Sequence, residues 1–502
     1  MSLFPMNSGQ APMRLVQLGA AFVAAALVAG CGTAYRPVIT PINPNGPAAQ
    51  PTALAVVVSS PSPTSAGVAT VIDYSGDTIM AQSPIGPNPN AFTVDSNGAT
   101  GYTVNSDGTL TNFPVSTNLQ EKQITYTTLP TTAQTIGLFS PSVGLWTADV
   151  NANAVDVLSG SPQTFKLSIP VAQTPIAIVG PTRVEQRDFA ISQNLPYGVS
   201  CNQNPAGVPV AGEADAIEVA NYTVSARIPL GKCPVYAVQG SDDKRLFVLN
   251  RGSDTVTVIN TQNNTLDACT PFTSQTGQTV TCHPTLPLST TAVEATGITP
   301  PNGTSGMTAT AGPVYAEYNS ATQQLVVANY DGGTVTVIDV SLDEYGNDSS
   351  TFGTTFTIPV GNNPASVTAL YNGSRAYAAN QTDGTVSILN LSSHTVEKTV
   401  AVVGHPRTVM SVSNSLYGKV YVVSPDSPYL TIIRTDQDIM DTTVLVQGNI
   451  VDVRVSNQNG VSGNAITASR KPGAGQPCYL PPALMQSTYG ANYTLANCQT
   501  MP

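Results

Sequence analysis

The residues able to do chemistry in this chain are few and scattered. It has three histidines, His283, His394 and His405. No two are spaced as His-x-x-x-His, and none follows a Cys-x-x-Cys, so neither a zinc pair nor a haem attachment site is written here. His405 precedes Pro406 where a loop meets an apolar run, a place from which a side chain can line a funnel. The acids Asp254, Asp331 and Asp383 recur at one turn position. Calcium needs several oxygens converging on one point, whereas one carboxylate per turn is what turn geometry itself favours. There is no Gly-x-Ser-x-Gly elbow and no phosphate-cradling glycine loop. The residues therefore assign no catalytic, cofactor-binding or metal-binding position.

Cysteine is the more informative residue, with seven in the chain. Cys201, Cys233, Cys269, Cys282, Cys478 and Cys498 form an even set, which in an exported protein implies disulfides. Six cysteines allow fifteen pairings. Proximity along the chain favours Cys201–Cys233, Cys269–Cys282 and Cys478–Cys498, each stapling an insertion or the tail at about 3 kcal/mol. Export is read from the other end. Leu15 to Gly30 is an apolar, alanine-rich run flanked by Arg14, with Met13 as an alternative start. Its end, Leu27-Val28-Ala29-Gly30-Cys31, resembles a bacterial lipobox. That resemblance implies cleavage before Cys31 and lipid attachment to it. Gly32, where aspartate would retain the protein at the inner membrane, implies the outer membrane. Residues 1–30 are then a signal peptide, and residues 31–50 the lipidated cysteine with a proline-rich, solvated tether.

The elements that must position any site repeat. QLVVANYDGGTVTVIDV, Gln324 to Val340, is an apolar run, a turn and an alternating Thr/Val run. The turn Tyr330-Asp331-Gly332-Gly333 between β-branched runs predicts a hairpin, and the alternation predicts a strand facing two environments. Arg375 to Asn390 and Leu246 to Asn260 repeat it, with ten positions from Asn329 to Asp339, from Asn380 to Asn390 and from Asn250 to Asn260. Ahead of each copy lies a proline-led strand: Pro234-Val-Tyr-Ala-Val-Gln, Pro313-Val-Tyr-Ala-Glu-Tyr or Pro364-Ala-Ser-Val-Thr-Ala-Leu. Behind lies a strand ending on glycine, at Gly361 and Gly404, and Pro364 to Pro406 gives a period of 42 positions. Four short strands every forty-odd residues predict an all-β propeller, since one such sheet cannot bury both its faces alone.

In these segments, and in Ile228–Gly231 and Ile358–Gly361, the chain resembles the YVTN-repeat β-propellers of bacterial surface and envelope proteins. The resemblance implies a fold and names no activity. It is clearest over Lys232–Gly448.

Blade by blade, Ala53–Ser83 supplies three strands; Phe92–Leu129, Thr135–Val171 and Pro175–Leu230 follow, the last with an insertion around Cys201. Pro234 to Thr310 is interrupted by an excursion from Leu266, and Gly312, Pro364 and Pro406 open three more blades. The orphan strand Ile450–Val455 completes the three-stranded start and closes the ring, for eight blades, or seven if one early blade is misread. Trp146, the sole tryptophan, is expected between blades. Residues 51–456 are the propeller and 457–502 a tail closed by its own disulfide.

Charged residues are only 10% of the chain, replaced by neutral polar ones. Without residues 1–30 it keeps 18 basic and 30 acidic groups, a charge of −12, which repels phosphate backbones and argues against nucleic acid. The expected protein is a lipid-anchored monomer in the cell envelope, without cofactor or turnover. It would bind an envelope protein or glycan through loops on one propeller face. A lactonase-like hydrolase with its site in the central channel is the alternative; the sequence shows no acid–base set converging there.

Overall fold

The computed structural model describes residues 53–95, 98–130, 135–139, 144–180, 186–197, 210–240, 243–273, 277, 279–288, 311–411, 418–456, 480–481, 484–485 and 487. The chain divides into residues 1–50, which lie outside that set, and residues 51–502.

Short β-branched runs separated by turns make eight antiparallel sheets, each a blade, seven of four strands and one, blade 5, of five. From the inside outward, blade 1 is Asn449–Val455, Leu54–Ser60, Ala66–Asp73 and Ile79–Pro87. Its C-terminal inner strand pairs antiparallel with the first strand of the domain, Val57 opposite Val453, as the orphan strand predicted. Blades 2 to 8 begin with inner strands Pro89–Val94, Thr135–Phe139, Pro175–Val179, Pro234–Gln239, Pro313–Asn319, Pro364–Ala369 and Thr408–Ser411. Each inner strand touches the next, and the last touches the first, so they enclose an axis. The protein is an eight-bladed β-propeller.

Second and third strands are buried on both faces because each blade is covered by a neighbour on either side. The alternation in Thr334–Asp339 thus separates two blade interfaces, not core from water: Val335 and Val337 pack toward blade 7, while Thr334 and Thr336 are also fully buried. What satisfies those hydroxyls is the repeated asparagine. Asn329 Nδ2 donates to Thr334 Oγ1 (3.0 Å) and Thr336 Oγ1 (2.8 Å). Asn380 does the same to Thr385 and Ser387, and Asn250 to Thr255 and Thr257. Asn105, in a blade whose repeat is faint, donates likewise to Thr109 and Thr111. Where the following blade carries this asparagine, the glycine near the end of the outer strand answers it. A Cβ on Gly361 would lie 2.7 Å from Asn380 Cγ, and one on Gly231 2.6 Å from Asn250 Cγ. Asparagine and glycine are two halves of one joint between blades.

Antiparallel order puts two sets of turns on opposite faces. The upper face carries the second-to-third-strand turns and the connections into each new inner strand. The lower face carries the first-to-second and third-to-outer turns. Blade 5 departs from the regular plan: its outer strand is split into Thr265–Leu266 and Thr285–Pro287, both paired with Thr255–Asn260. The excursion between them holds a small hairpin, Phe272–Thr273 with Thr279–Val280. Trp146 is fully buried among residues of blades 3 and 4, including Ile178, Ala190 and Ile217.

Candidate functional site

Inner strands bring polar side chains to the axis that no local motif announces. Blade 6 contributes Tyr315 and Glu317, blade 5 Tyr236, and blade 1 Asp452 and Arg454, with Arg407 just before the blade 8 inner strand. The rings of Tyr236 and Tyr315 lie 4.6 Å apart, tilted by 38°. Arg454 Nη2 pairs with Asp452 Oδ2 at 2.8 Å, both buried. Glu317 Oε1 accepts the Ala369 N–H of blade 7 at 3.2 Å. Among the described inner-strand side chains outside blade 3, all are buried except Tyr315, Glu317 and the rim residue Asn449. Burial pushes the Glu317 carboxyl up to about 7, against the Thr368 hydroxyl and Ala369 N–H that hold it down. Burial lifts the Asp452 carboxyl to about 6, moderated by Arg454, and the Tyr315 hydroxyl to about 12, raised further by Glu317. Tyr236 is raised well above its ordinary value by burial and by Tyr315.

On the upper face, turns of successive blades are tied to one another. Arg251 of blade 5 grips Asp331 of blade 6 through Nε–Oδ2 (3.0 Å) and Nη2–Oδ1 (2.7 Å). Its guanidinium lies 5.5 Å from the Tyr330 ring centroid, and Tyr330 donates its hydroxyl to Gln381 Oε1 of blade 7 at 2.8 Å. Gln193 of blade 4 donates to Pro234 O of blade 5 at 2.8 Å. On the connection into blade 8, His405 Nδ1 lies 2.7 Å from Asp426 Oδ2, while the His405 backbone N–H donates to Asp426 Oδ1 at 2.9 Å.

The lower face is stapled by cations that the repeat also places. The first residue of a second strand reaches into the third-to-outer turn of the next blade. Arg245 meets Asp348 (3.1 Å), Arg375 meets Asp438, and Lys419 meets Asp77 (2.7 Å). Arg245 also holds Asp267 at 3.1 Å, and His283 Nδ1 lies 2.8 Å from Asp348 Oδ2 with its ring stacked on Phe352. Burial raises the Asp267 carboxyl to about 6, with Arg245 pulling it down and Asp348 pushing it up. This network docks the blade 5 excursion, closed by the Cys269–Cys282 disulfide, onto blade 6.

No family model and no curated protein matches the sequence. Solved structures do. Apo AztD from Citrobacter koseri is similar over 80% of this chain and 97% of that one, at 11% identity and a TM-score of 0.52. The dihydro-heme d1 dehydrogenase NirN in complex with DHE is similar over 82% and 77%, at 13% identity and a TM-score of 0.55. A putative 6-phosphogluconolactonase from Bacteroides fragilis is similar over 82% and 99%, at 14% identity and a TM-score of 0.47. What the first two share with this chain is the propeller.

The cysteines and histidines resolve as follows. Cys269 and Cys282 are bonded to each other, as their spacing predicted, and Cys233 is disulfide-bonded and buried before the blade 5 inner strand. Cys31, Cys201, Cys478 and Cys498 lie outside the described residues. His405 stands on the upper rim, and His394 is stacked on Phe356 (3.7 Å between centroids) in a lower-face turn. Two expectations need correction. Asp254, Asp331 and Asp383 occupy the fourth, second and third places of their four-residue turns, not one position. Their partners differ accordingly: Asp254 accepts Gly312 N–H, Asp331 holds Arg251 and Asp383 accepts Asn362 N–H. Polar residues do converge on the axis, although the sequence shows no such set, because ring closure joins strands hundreds of residues apart. Two signals were available for the missed groups: the Pro-Val-Tyr-Ala inner strands that carry Tyr236 and Tyr315, and a basic residue five positions before Asn250 and Asn380.

Proposed function

We propose that this chain is a lipid-anchored, cell-envelope member of the YVTN-repeat propellers that binds an envelope protein or glycan through its upper face, without turnover. The observation that carries the reading is the chain of contacts Arg251–Asp331 and Tyr330–Gln381 across blades 5, 6 and 7. Turns cross-tied in this way form a pre-organised surface, so a partner meets a rigid platform and loses less affinity to loop ordering. Tyrosine, arginine and asparagine from several blades stand there, the residue types that dominate binding energy at interfaces. Cys31 supplies the anchor, and the tether after it gives the propeller reach from the membrane.

The second reading is a hydrolase, favoured by the His405–Asp426 pair: with Nδ1 engaged by a carboxylate, Nε2 is the nitrogen left for proton transfer. One experiment separates the two. Pull-down from envelope extracts with the intact protein is run beside an ester and lactone hydrolysis screen. A specific partner lost on Arg251→Ala, with no turnover, supports binding. Hydrolysis abolished by His405→Ala overturns it.

A further inference from the structure

Tyr315 and Glu317 form a half-buried wall among inner-strand side chains that, outside blade 3, are otherwise buried apart from the rim residue Asn449; Tyr315 packs against Tyr330 of the upper-face turn. The groups acting on Glu317 come from blades 5, 6 and 7, with the charged groups of blades 1 and 8 beyond them. Blade 7 offers the Thr368 hydroxyl and the Ala369 N–H, both neutral donors. Tyr315 stands beside it on blade 6, and Tyr236 of blade 5 lies against the Tyr315 ring. Arg454 of blade 1 also acts on the two phenols, but its charge is matched by Asp452 at 2.8 Å. Arg407 of blade 8 acts on Asp452 in turn. The axis thus holds two arginines acting on Asp452, and a carboxyl, Glu317, held by the neutral donors Thr368 and Ala369.

We infer that the axial wall formed by Glu317, Tyr315 and Tyr236 is a binding site for a small organic cation, specifically a primary ammonium. A carboxylate in a desolvated place gains most from a partner that brings both charge and N–H donors. A primary ammonium supplies three donors, enough for the Glu317 carboxylate and the Tyr315 hydroxyl together. The half-buried Tyr315 ring, backed by the buried Tyr236, gives its alkyl part an apolar surface and its charge the negative face of a π-system. A divalent metal is served less well, since it takes six or more oxygens and Glu317 is the carboxylate this wall presents. Because Glu317 is lifted to about 7, the site is charged for a cation above that pH and neutral well below it. Asp452, lifted to about 6, also takes up its proton on the acid side, so the Glu317→Gln variant isolates the share that belongs to Glu317.

The test uses the full propeller and ethylammonium, whose charge is constant across the range, titrated calorimetrically about one pH unit above and about one and a half below the Glu317 value. Ethanol is the uncharged control and calcium chloride the metal control. Binding is expected on the alkaline side and roughly tenfold or more weaker on the acid side. Glu317→Gln keeps the shape, and is expected to abolish binding with the thermal midpoint retained. If that variant fails to fold, Tyr315→Phe replaces it: the ring stays, the hydroxyl goes, and affinity should fall about three- to tenfold. Equal binding of ethanol, binding that ignores pH, undiminished binding in the variant that folds, or calcium taken up in place of ethylammonium would each overturn the inference.

Discussion

The seam that joins the two ends of the ring can be tested at Lys419. Its Nζ donates to Asp77 Oδ1 at 2.7 Å and to Tyr74 O at 2.6 Å, and lies 5.0 Å from the Tyr74 ring centroid. The partners are 342 positions apart, one in blade 8 and one in blade 1, with side chains only 11% and 3% exposed. At an effective dielectric near 20, unit charges at that distance attract by roughly 6 kcal/mol, from which desolvation removes several. Lys419→Met keeps the methylene stem and leaves a buried carboxylate without its ammonium, which should cost about 3–5 kcal/mol. Asp77 sits at φ 53°, a region asparagine tolerates, so Asp77→Asn removes the charge without straining the turn. The double variant should therefore recover at least about half of the loss. Urea unfolding followed by circular dichroism reads this as a lowered midpoint at unchanged slope. Because the pair is buried, about 1 M salt should barely alter the loss. A cost under about 1 kcal/mol, or one erased by salt, would mean that the pair is solvated and the seam is held by its strands alone.

Gly361→Ala should destabilise by about 1–3 kcal/mol, since the new Cβ would meet the buried Asn380 at 2.7 Å; a thermal melt within error of wild type would sink the Asn–Gly joint. Asp156 occupies the hydroxyl position of the repeat in blade 3, and burial raises it from 3.8 to about 6. A raised acid binds its proton more tightly when folded, so stability present below 3.8 is lost as pH climbs through about 6, up to about 3 kcal/mol. Asp156→Thr should restore that amount above pH 6 and change little near pH 4, as paired denaturation curves would show. Cys31→Ser should move the protein from the membrane fraction to the soluble one; a variant that stays membrane-bound refutes lipidation. Replacing Cys269 and Cys282 by serine reopens a loop spanning 13 positions and should cost no more than about 3 kcal/mol, measured by urea midpoint.

The blades were legible in the sequence because everything that defines one is local. Asn329 and Thr336 lie seven positions apart and meet across a tight hairpin, so chemistry and spacing stay together along the chain. Closure was legible too, since a lone strand such as Ile450–Val455 and a blade lacking one strand each leave an edge that only the other satisfies. Lysine and arginine at the head of second strands could have been found by the same register, but their carboxylate partners belong to the next blade's turn and carry no fixed offset. Wound into a ring, inner strands separated by one or many periods become equal neighbours of one axis, and only there do Glu317 and Arg454 both act on Tyr236. The sequence determined the unit, its repetition and its closure, because short-range hydrogen bonds and β-branched patterning specify them. Tertiary structure alone decided which polar groups share the axis and how far burial shifts them, because desolvation depends on every blade being in place at once.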